Sequence, residues 1–502
     1  MKSAHILFFA FCFSTSNALF AQISPNAIGY YQDALIFAQN TIPMGTARVQ
    51  ALGGANVAVG ADVFSGIANP AGLGLARRGQ VNFGLNFNNF SADTDYINNN
   101  TNSNYEFLKL NNFSIISPVE GNSSGGFKGG AWSFGITRTN NYQRKFSYEG
   151  VNTRSTMADR FTLLADGINA NVFEREAGLN EILDLPSLAY AGFVINPFVY
   201  DSTAYYTEFR DINDNLVAPI RQNEVITAKG GETNINFSYG GNYKDKVYFG
   251  FGLGLTSLRY IYKSIYNERL TRQAAPNELQ EFTLRNNRTA TGGGVNFNLG
   301  LLFRPIEDLR IGVSFLTPTF YALDEKDENT LTSNFNTNST IPTELSYRYN
   351  SPMRANLGLS YFFKKKGFIT AEAEWVNYKG MSVAADDFSL EADNTTIRNL
   401  YGSAFNLRAG AEVRFDLLRL RAGAAYFQSP YAVRLDNVKR DIFSYTGGLG
   451  VFMQNAAIDL GFTYTPSRSV YTPYTLPNPD FFYSAVSRNK HISVMLSFSF
   501  FF

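Results

Sequence analysis

Every second side chain is apolar from Val295 to Phe303: Val295, Phe297, Leu299, Leu301 and Phe303 alternate with Asn296, Asn298, Gly300 and Leu302. A period of two places alternate residues on opposite faces of an extended strand. The pattern returns at Val247, Phe249, Phe251, Leu253 and Leu255 against Tyr248, Gly250, Gly252 and Gly254, and at Val81, Phe83, Leu85 and Phe87 against Asn82, Gly84 and Asn86. No apolar run after the first residues nears the roughly 20 positions that a membrane-spanning helix requires. A chain patterned this way builds sheet. If it enters a bilayer it must do so as a closed barrel, since only helices and barrels satisfy their backbone groups in lipid.

The period recurs in fourteen segments, near 79–91, 105–118, 127–149, 223–243, 246–264, 280–305, 308–323, 343–364, 367–383, 402–416, 418–432, 440–455, 456–472 and 488–502. Short connections, such as Asp416-Leu417, alternate with long ones at 92–104, 150–222, 324–342, 384–401 and 473–487. An even strand number, short turns at one end and long loops at the other predict an all-β transmembrane antiparallel barrel. The 45 Phe and 29 Tyr fit its interface girdles, and the last strand ends on Phe502.

Composition removes other classes. Lys and Arg number 43 and Asp and Glu 42, which gives a nucleic-acid surface no electrostatic basis. The chain has one cysteine, Cys12, and two histidines, His5 and His491. Lys2, the apolar stretch Ile6–Phe13 and the small residue Ala21 read as a signal peptide over 1–21, whose removal leaves His491 alone and no cysteine. No cofactor and no metal centre is expected. The mature chain is expected in the outer membrane of a Gram-negative cell.

Residues 22–78 lack the strand period and are rich in Gly and Ala. The run Ala51-Leu52-Gly53-Gly54-Ala55-Asn56-Val57-Ala58-Val59-Gly60-Ala61-Asp62, followed by Asn69-Pro70-Ala71-Gly72-Leu73, resembles the amino-terminal hatch of the FadL/TodX family. Trp132–Asn141 resembles the form that family takes in bacteria related to Bacteroidetes. The resemblance implies 22–78 as a hatch inside a barrel of fourteen strands over 79–502. It implies passive outer-membrane uptake of hydrophobic small molecules such as long-chain fatty acids, insertion by the barrel assembly machinery and contact with outer-membrane lipid. Independently, small residues let backbone pack closely in a narrow lumen, and Leu52, Val57, Val59, Val63, Phe64 and Ile67 call for burial. Asn69, Pro70, Ala71 and Gly72 are the candidate hatch motif, expected to hold the plug near the third strand.

The long connection 150–222 departs from the resemblance. It has helical spacing at Met157, Phe161, Leu164 and Ile168, and at Leu179, Ile182 and Leu183 before Pro186. It is read either as a groove that captures ligand through Phe161, Leu164, Phe193 and Ile195 or as a cap packed on itself. The strand period points Glu372, Glu374, Arg408, Glu412, Arg414, Arg419 and Arg421 into the lumen. Charges there pair with one another and with plug groups, because unpaired burial is costly; a headgroup site is the sharper alternative. Asp324-Glu325-Lys326-Asp327-Glu328 reads as a solvated external loop rather than a calcium site. Catalysis has little to stand on: His491, with Ser493 and Ser497 on its face, has no nucleophile elbow or zinc motif beside it. Haem would have to use Tyr. Other functions open to such a barrel are a shuttle in protein secretion and a general diffusion porin.

Overall fold

The computed structural model describes residues 23–24, 27–121, 126–433 and 436–502. The expected signal peptide lies outside them. The wall has fourteen antiparallel strands. They are β1 Gln80–Tyr96, β2 Asn99–Glu120, β3 Phe127–Asn141 with Arg144–Asn152, β4 Ile220–Tyr243, β5 Val247–Leu270 and β6 Glu281–Ile306. Then follow β7 Leu309–Leu316 with Phe320–Ser333, β8 Thr343–Asn350 with Arg354–Phe362, β9 Gly367–Asn377 with Ser382–Ala384, and β10 Ser403–Phe415. The last four are β11 Leu418–Phe427, β12 Ile442–Phe452, β13 Ala456–Tyr471 and β14 Ala485–Phe501. Each pairs with the next, and β14 pairs back onto β1, from Gln80 opposite Phe501 to Asp95 opposite Val486. The pairing of β14 with β1 closes the sheet on itself.

The strands run well past the apolar alternation. On β5 the outward face is apolar from Val247 to Leu255 and then turns to Ser257, Arg259, Lys263 and Arg269. A bilayer needs an apolar exterior only across its hydrocarbon core, so above that band the same strand dresses its outer face for water. This explains two departures from the sequence reading. Positions 92–104 are not a loop: β1 and β2 continue to a two-residue turn, Ile97-Asn98, both at positive φ (45° and 60°), as a tight hairpin requires. The acidic run 324–328 likewise lies in the upper part of β7, where Glu325 faces Arg288 across 3.8 Å and Lys326 reaches Glu344 at 3.2 Å. Among the described residues no helix is long and apolar enough to cross a membrane.

Connection 150–222 is a cap. Helices α4 (Met157–Ala165), α5 (Ala170–Leu179) and α6 (Leu185–Ala191) and a hairpin (Asn196–Phe198, Asp201–Tyr206) lie beyond β3. Thr156 and Asp159 form a capping box on α4. Pro186 opens α6 instead of ending the helix before it, at a first turn whose N–H has no helical partner in any case. Phe161, Phe173, Leu188 and Ile195 pack with Tyr96, Tyr148, Tyr266 and Phe282 of the wall. Glu268 on β5 locks the cap down, accepting from Gln222 Nε2 and the Met157 amide at 2.7 Å each and from the Thr156 hydroxyl. Arg210 clasps Asp159 at 2.6 Å, and this hydrogen bond holds the guanidinium above its ordinary pKa despite burial.

Residues 27–79 fill the lumen. Helix α1 (Tyr30–Ala38) sits in the outer half, its Phe37 ring against Tyr142, Tyr260 and Tyr349. Asp393 on α7 (Glu391–Leu400), between β9 and β10, accepts from the amides of Ile28, Gly29 and Tyr31 at 3.0–3.1 Å. The chain then descends through α2 (Ala47–Ala51), α3 (Ser65–Ala68) and a 3-10 turn (Pro70–Leu75). Here it lies directly on glycines of the wall. A Cβ at Gly250 would stand 2.3 Å from the Pro70 carbonyl carbon, and one at Gly410 2.6 Å from the Leu52 oxygen. Gly240, Gly300, Gly312 and Gly423 meet the plug just as closely, and Gly240, Gly250 and Gly300, opposite one another on adjacent strands, form one patch. Gly250→Val is expected to unseat the plug at about 1–3 kcal/mol. Hydrogen exchange should show faster amides over 66–75, while Gly447→Ala, where a Cβ meets only one atom at 3.8 Å, leaves them protected.

Candidate functional site

Two groups of buried charge, both on β8–β13, fix the plug. In the upper one Arg408 bridges Glu372 and Glu374 at 2.7 Å each, and Arg354 reaches Glu374 at 3.3 Å. The second Glu372 oxygen accepts from the amides of Asn56 and Val57, both at 3.0 Å. In the lower group Glu412 meets Arg414 and Arg421 at 2.7 Å and Arg48 of the plug at 3.4 Å. The seven charges expected in the lumen thus divide by height, and six of them sit in ion pairs. Arg419 donates only to the carbonyls of Asp416 and Leu418 among the described residues.

Asn69, Pro70, Ala71 and Gly72 are all buried against the wall. The Asn69 amide donates to the Val57 carbonyl at 2.8 Å and to the Leu301 carbonyl of β6 at 3.1 Å, and its oxygen accepts from Ala71 at 3.1 Å. With Pro70 on Gly240, Gly250 and Gly300, the anchor is mainly β4–β6. The third strand, expected from sequence, is a neighbour rather than the seat.

Between α1 and the lower part of the plug lies an upper chamber of about 140 Å3, lined by Phe37, Ala38 and Asn40 as well as by the segments below them. An apolar cavity of about 150 Å3 accommodates a benzene-sized guest. Ile42, Met44, Val57, Phe64 and Ile67 of the plug form its apolar side. The wall supplies uncharged amides and hydroxyls, Asn234, Asn236, Asn296, Asn298, Ser314, Thr319 and Asn356, with the Glu372–Arg408–Glu374 group to one side. Many of these polar groups bond to one another: Asn296 donates to Thr319 at 2.9 Å and Asn356 to Ser314 at 3.2 Å. Such a chamber offers an apolar guest one apolar face, with Glu232, Arg354, Glu372, Glu374 and Arg408 on its polar side.

A second chamber of about 320 Å3 opens beside α1 where β3 is interrupted at Tyr142-Gln143. The wall is interrupted nearby. Pairing of β2 with β3 stops at Asn112 opposite Thr137, and higher up the strands meet through side chains such as Ser103 and Ser147, 2.8 Å apart. His491 faces this chamber with Nε2 3.0 Å from Asn88 Oδ1, while Ser493 donates to Asn86 and Ser497 accepts from the Ala47 amide. These contacts make no nucleophile–base pair. No cluster of three or more His, Cys, Asp or Glu suited to a metal occurs among the described residues.

The proposed capture residues separate. Phe161 and Ile195 are interior to the cap, 2% and 0% exposed, whereas Phe193 is 51% exposed and Leu164 36%. Only the latter two present apolar surface to solvent. The glycine seats and Asp393 were not singled out from sequence. The glycines stood at alternate, lumen-facing positions of their strands; nothing in the sequence marked Asp393.

No family model matches the chain, and no curated protein matches it in sequence. Solved structures do. A Pseudomonas aeruginosa FadL homologue superposes with a TM-score of 0.54 at 12% identity, over 92% of this chain and 99% of that one. The chain has the FadL-type fold. The Pseudomonas putida toluene transporter TodX gives 0.51 at 14% identity over 92% and 99%, and the CymD monoaromatic hydrocarbon channel 0.50 at 14% over 93% and 99%. In this FadL-type barrel Glu372→Gln removes the charge that Arg408 and the plug amides share. Breaking a buried ion pair costs about 3–5 kcal/mol. Exchange at Asn56 and Val57 is expected to accelerate well before the barrel itself unfolds.

Proposed function

We propose that the protein is an outer-membrane channel for passive uptake of hydrophobic small molecules. The observation that carries this is the upper chamber: an apolar face inside a closed, lipid-facing barrel, under a cap and between α1 and the lower part of the plug. Ligand meets Leu164 and Phe193 on the cap, enters the chamber against Phe64 and Ile67, and leaves below once the plug shifts. No covalent step and no energy source is required. Burial gains only about 25 cal/mol per Å2, so an apolar relay can bind and still release. The solved structures with this fold, titled as a toluene transporter and a monoaromatic hydrocarbon channel, support the ligand class. Long-chain fatty acids belong to the same class.

A general porin fits less well, because residues 27–79 occupy the water path. A secretion shuttle would use the outer surface, where Val199, Tyr200 and Ile212 are fully or nearly fully exposed. A second exit is favoured by one observation, the break between β2 and β3 above Asn112, which would release an apolar ligand sideways into the bilayer.

The test is uptake across an intact outer membrane, in a Gram-negative host lacking its own hydrophobic channel. Labelled toluene and a labelled long-chain fatty acid are expected to enter several-fold faster with the barrel than without it, and a small sugar no faster. Sugar flux alone would assign a porin, and no flux would favour the shuttle. Ile67→Asp, which puts a charge on the apolar side of the chamber, is expected to cut hydrophobic uptake by about tenfold or more.

A further inference from the structure

Below the plug, at the short-turn end, lies a third chamber of about 340 Å3 whose charge is unbalanced. Arg48, Arg77, Arg78, Arg414, Arg419 and Arg421 line it, against only Asp62, Glu412 and Asp459. Glu412 already serves three guanidiniums, and Asp459 takes the other arm of Arg421 at 2.6 Å. Arg77 is engaged by Asp245 at 2.6 Å. Two cations remain without a carboxylate at ion-pair distance among the described residues. Arg78 donates to the Gln454 carbonyl at 2.6 Å and lies 4.7 Å from the centre of the Phe501 ring. Arg419 donates to two carbonyls and lies 5.6 Å from the centre of the Phe452 ring. The upper chamber has the opposite balance, with Glu232, Glu372 and Glu374 against Arg354 and Arg408.

We propose that the lower chamber is an anion site that takes the carboxylate of an amphiphilic ligand once its apolar part has passed the plug. This rests on the uptake reading above. Guanidinium forks match a carboxylate through paired, charge-assisted hydrogen bonds. Phe452, Phe501 and Leu75 give the adjoining chain an apolar wall. The reversal of charge across the plug favours an acid below it and not above it, and gives a neutral hydrocarbon no such preference. Glu412 and Asp459 disfavour ligands of higher negative charge.

Phenylglyoxal labelling of Arg78 and Arg419 in the full chain in nonionic detergent, read by peptide mass spectrometry, reports occupancy. Octanoate is expected to slow labelling of both about tenfold, and octanol to leave it unchanged while still binding by equilibrium dialysis. The double variant Arg78→Gln/Arg419→Gln should bind octanoate about tenfold more weakly and octanol equally well. Octanol binding without protection by octanoate overturns the anion site and spares the uptake reading; binding of neither overturns both. Protection by inorganic phosphate as strong as by octanoate overturns the assignment to an amphiphile, because the chamber would then read charge alone. Should the double variant fail to fold, protection of the wild-type chain decides.

Discussion

The contact on which the structure depends is backbone on backbone, plug against wall. Where the plug crosses the lumen, the wall presents glycines at Gly240, Gly250, Gly300, Gly312, Gly410 and Gly423, and the plug approaches too closely for any side chain there. That proximity lets plug polar groups find partners on the wall. Gly53 donates to Thr446 at 3.0 Å, Ala47 to Ser497 at 3.0 Å, and Ser238 donates to the Gly66 carbonyl at 2.9 Å. Each such bond is worth only about 0.5–1.5 kcal/mol net, because water replaces it readily. A plug held in this way is well placed yet able to move, unlike one held by a large apolar core.

The buried charges set its height. Glu372 grips the plug at Asn56 and Val57, and Glu412 grips Arg48, on opposite sides of the level where Gly53 and Gly54 cross. Burying these carboxylates without partners would be prohibitive, so their arginines are obligatory. At the outer end Asp393 and the Asp33–Arg288 pair fix α1. The plug is therefore pinned at both ends and lightest in the middle, where the upper chamber meets it.

Much of this was legible in the sequence because a barrel wall obeys a period of two over long stretches. Val247–Leu255 and Val295–Phe303 announced lipid-facing strands, and the inward charges on β9–β11 followed from the same count. Strand ends were less legible, because above the bilayer the outer face of β1, β5 and β7 becomes polar and the apolar signal stops while the ladder continues. For the cap residues Phe161 and Ile195 the sequence left a capture groove and a self-packed cap equally open, because helical spacing reports an apolar face and not what covers it. The seat of Asn69 and Pro70 on β4–β6 and the tie from Asp393 to α1 depend on residues 170 or more positions apart, which no local pattern encodes.

In the uptake reading proposed above, the main route for ligand is downward, opened when the plug leaves its seat, with the break between β2 and β3 as the competing exit. A side chain at Gly358 would begin 3.2 Å from the Ala58 Cβ, a few tenths of an ångström short of the roughly 3.5–4.5 Å of a disulfide, so the pair bridges once the plug gives by that amount. Ala58→Cys with Gly358→Cys would tie plug to wall in a chain whose only other cysteine, Cys12, lies in the expected export segment. Uptake of a labelled hydrophobic probe by cells carrying this pair is predicted to stop on oxidation and to return on reduction. Undiminished uptake with the plug tied down would contradict the account and assign the exit to the break between β2 and β3.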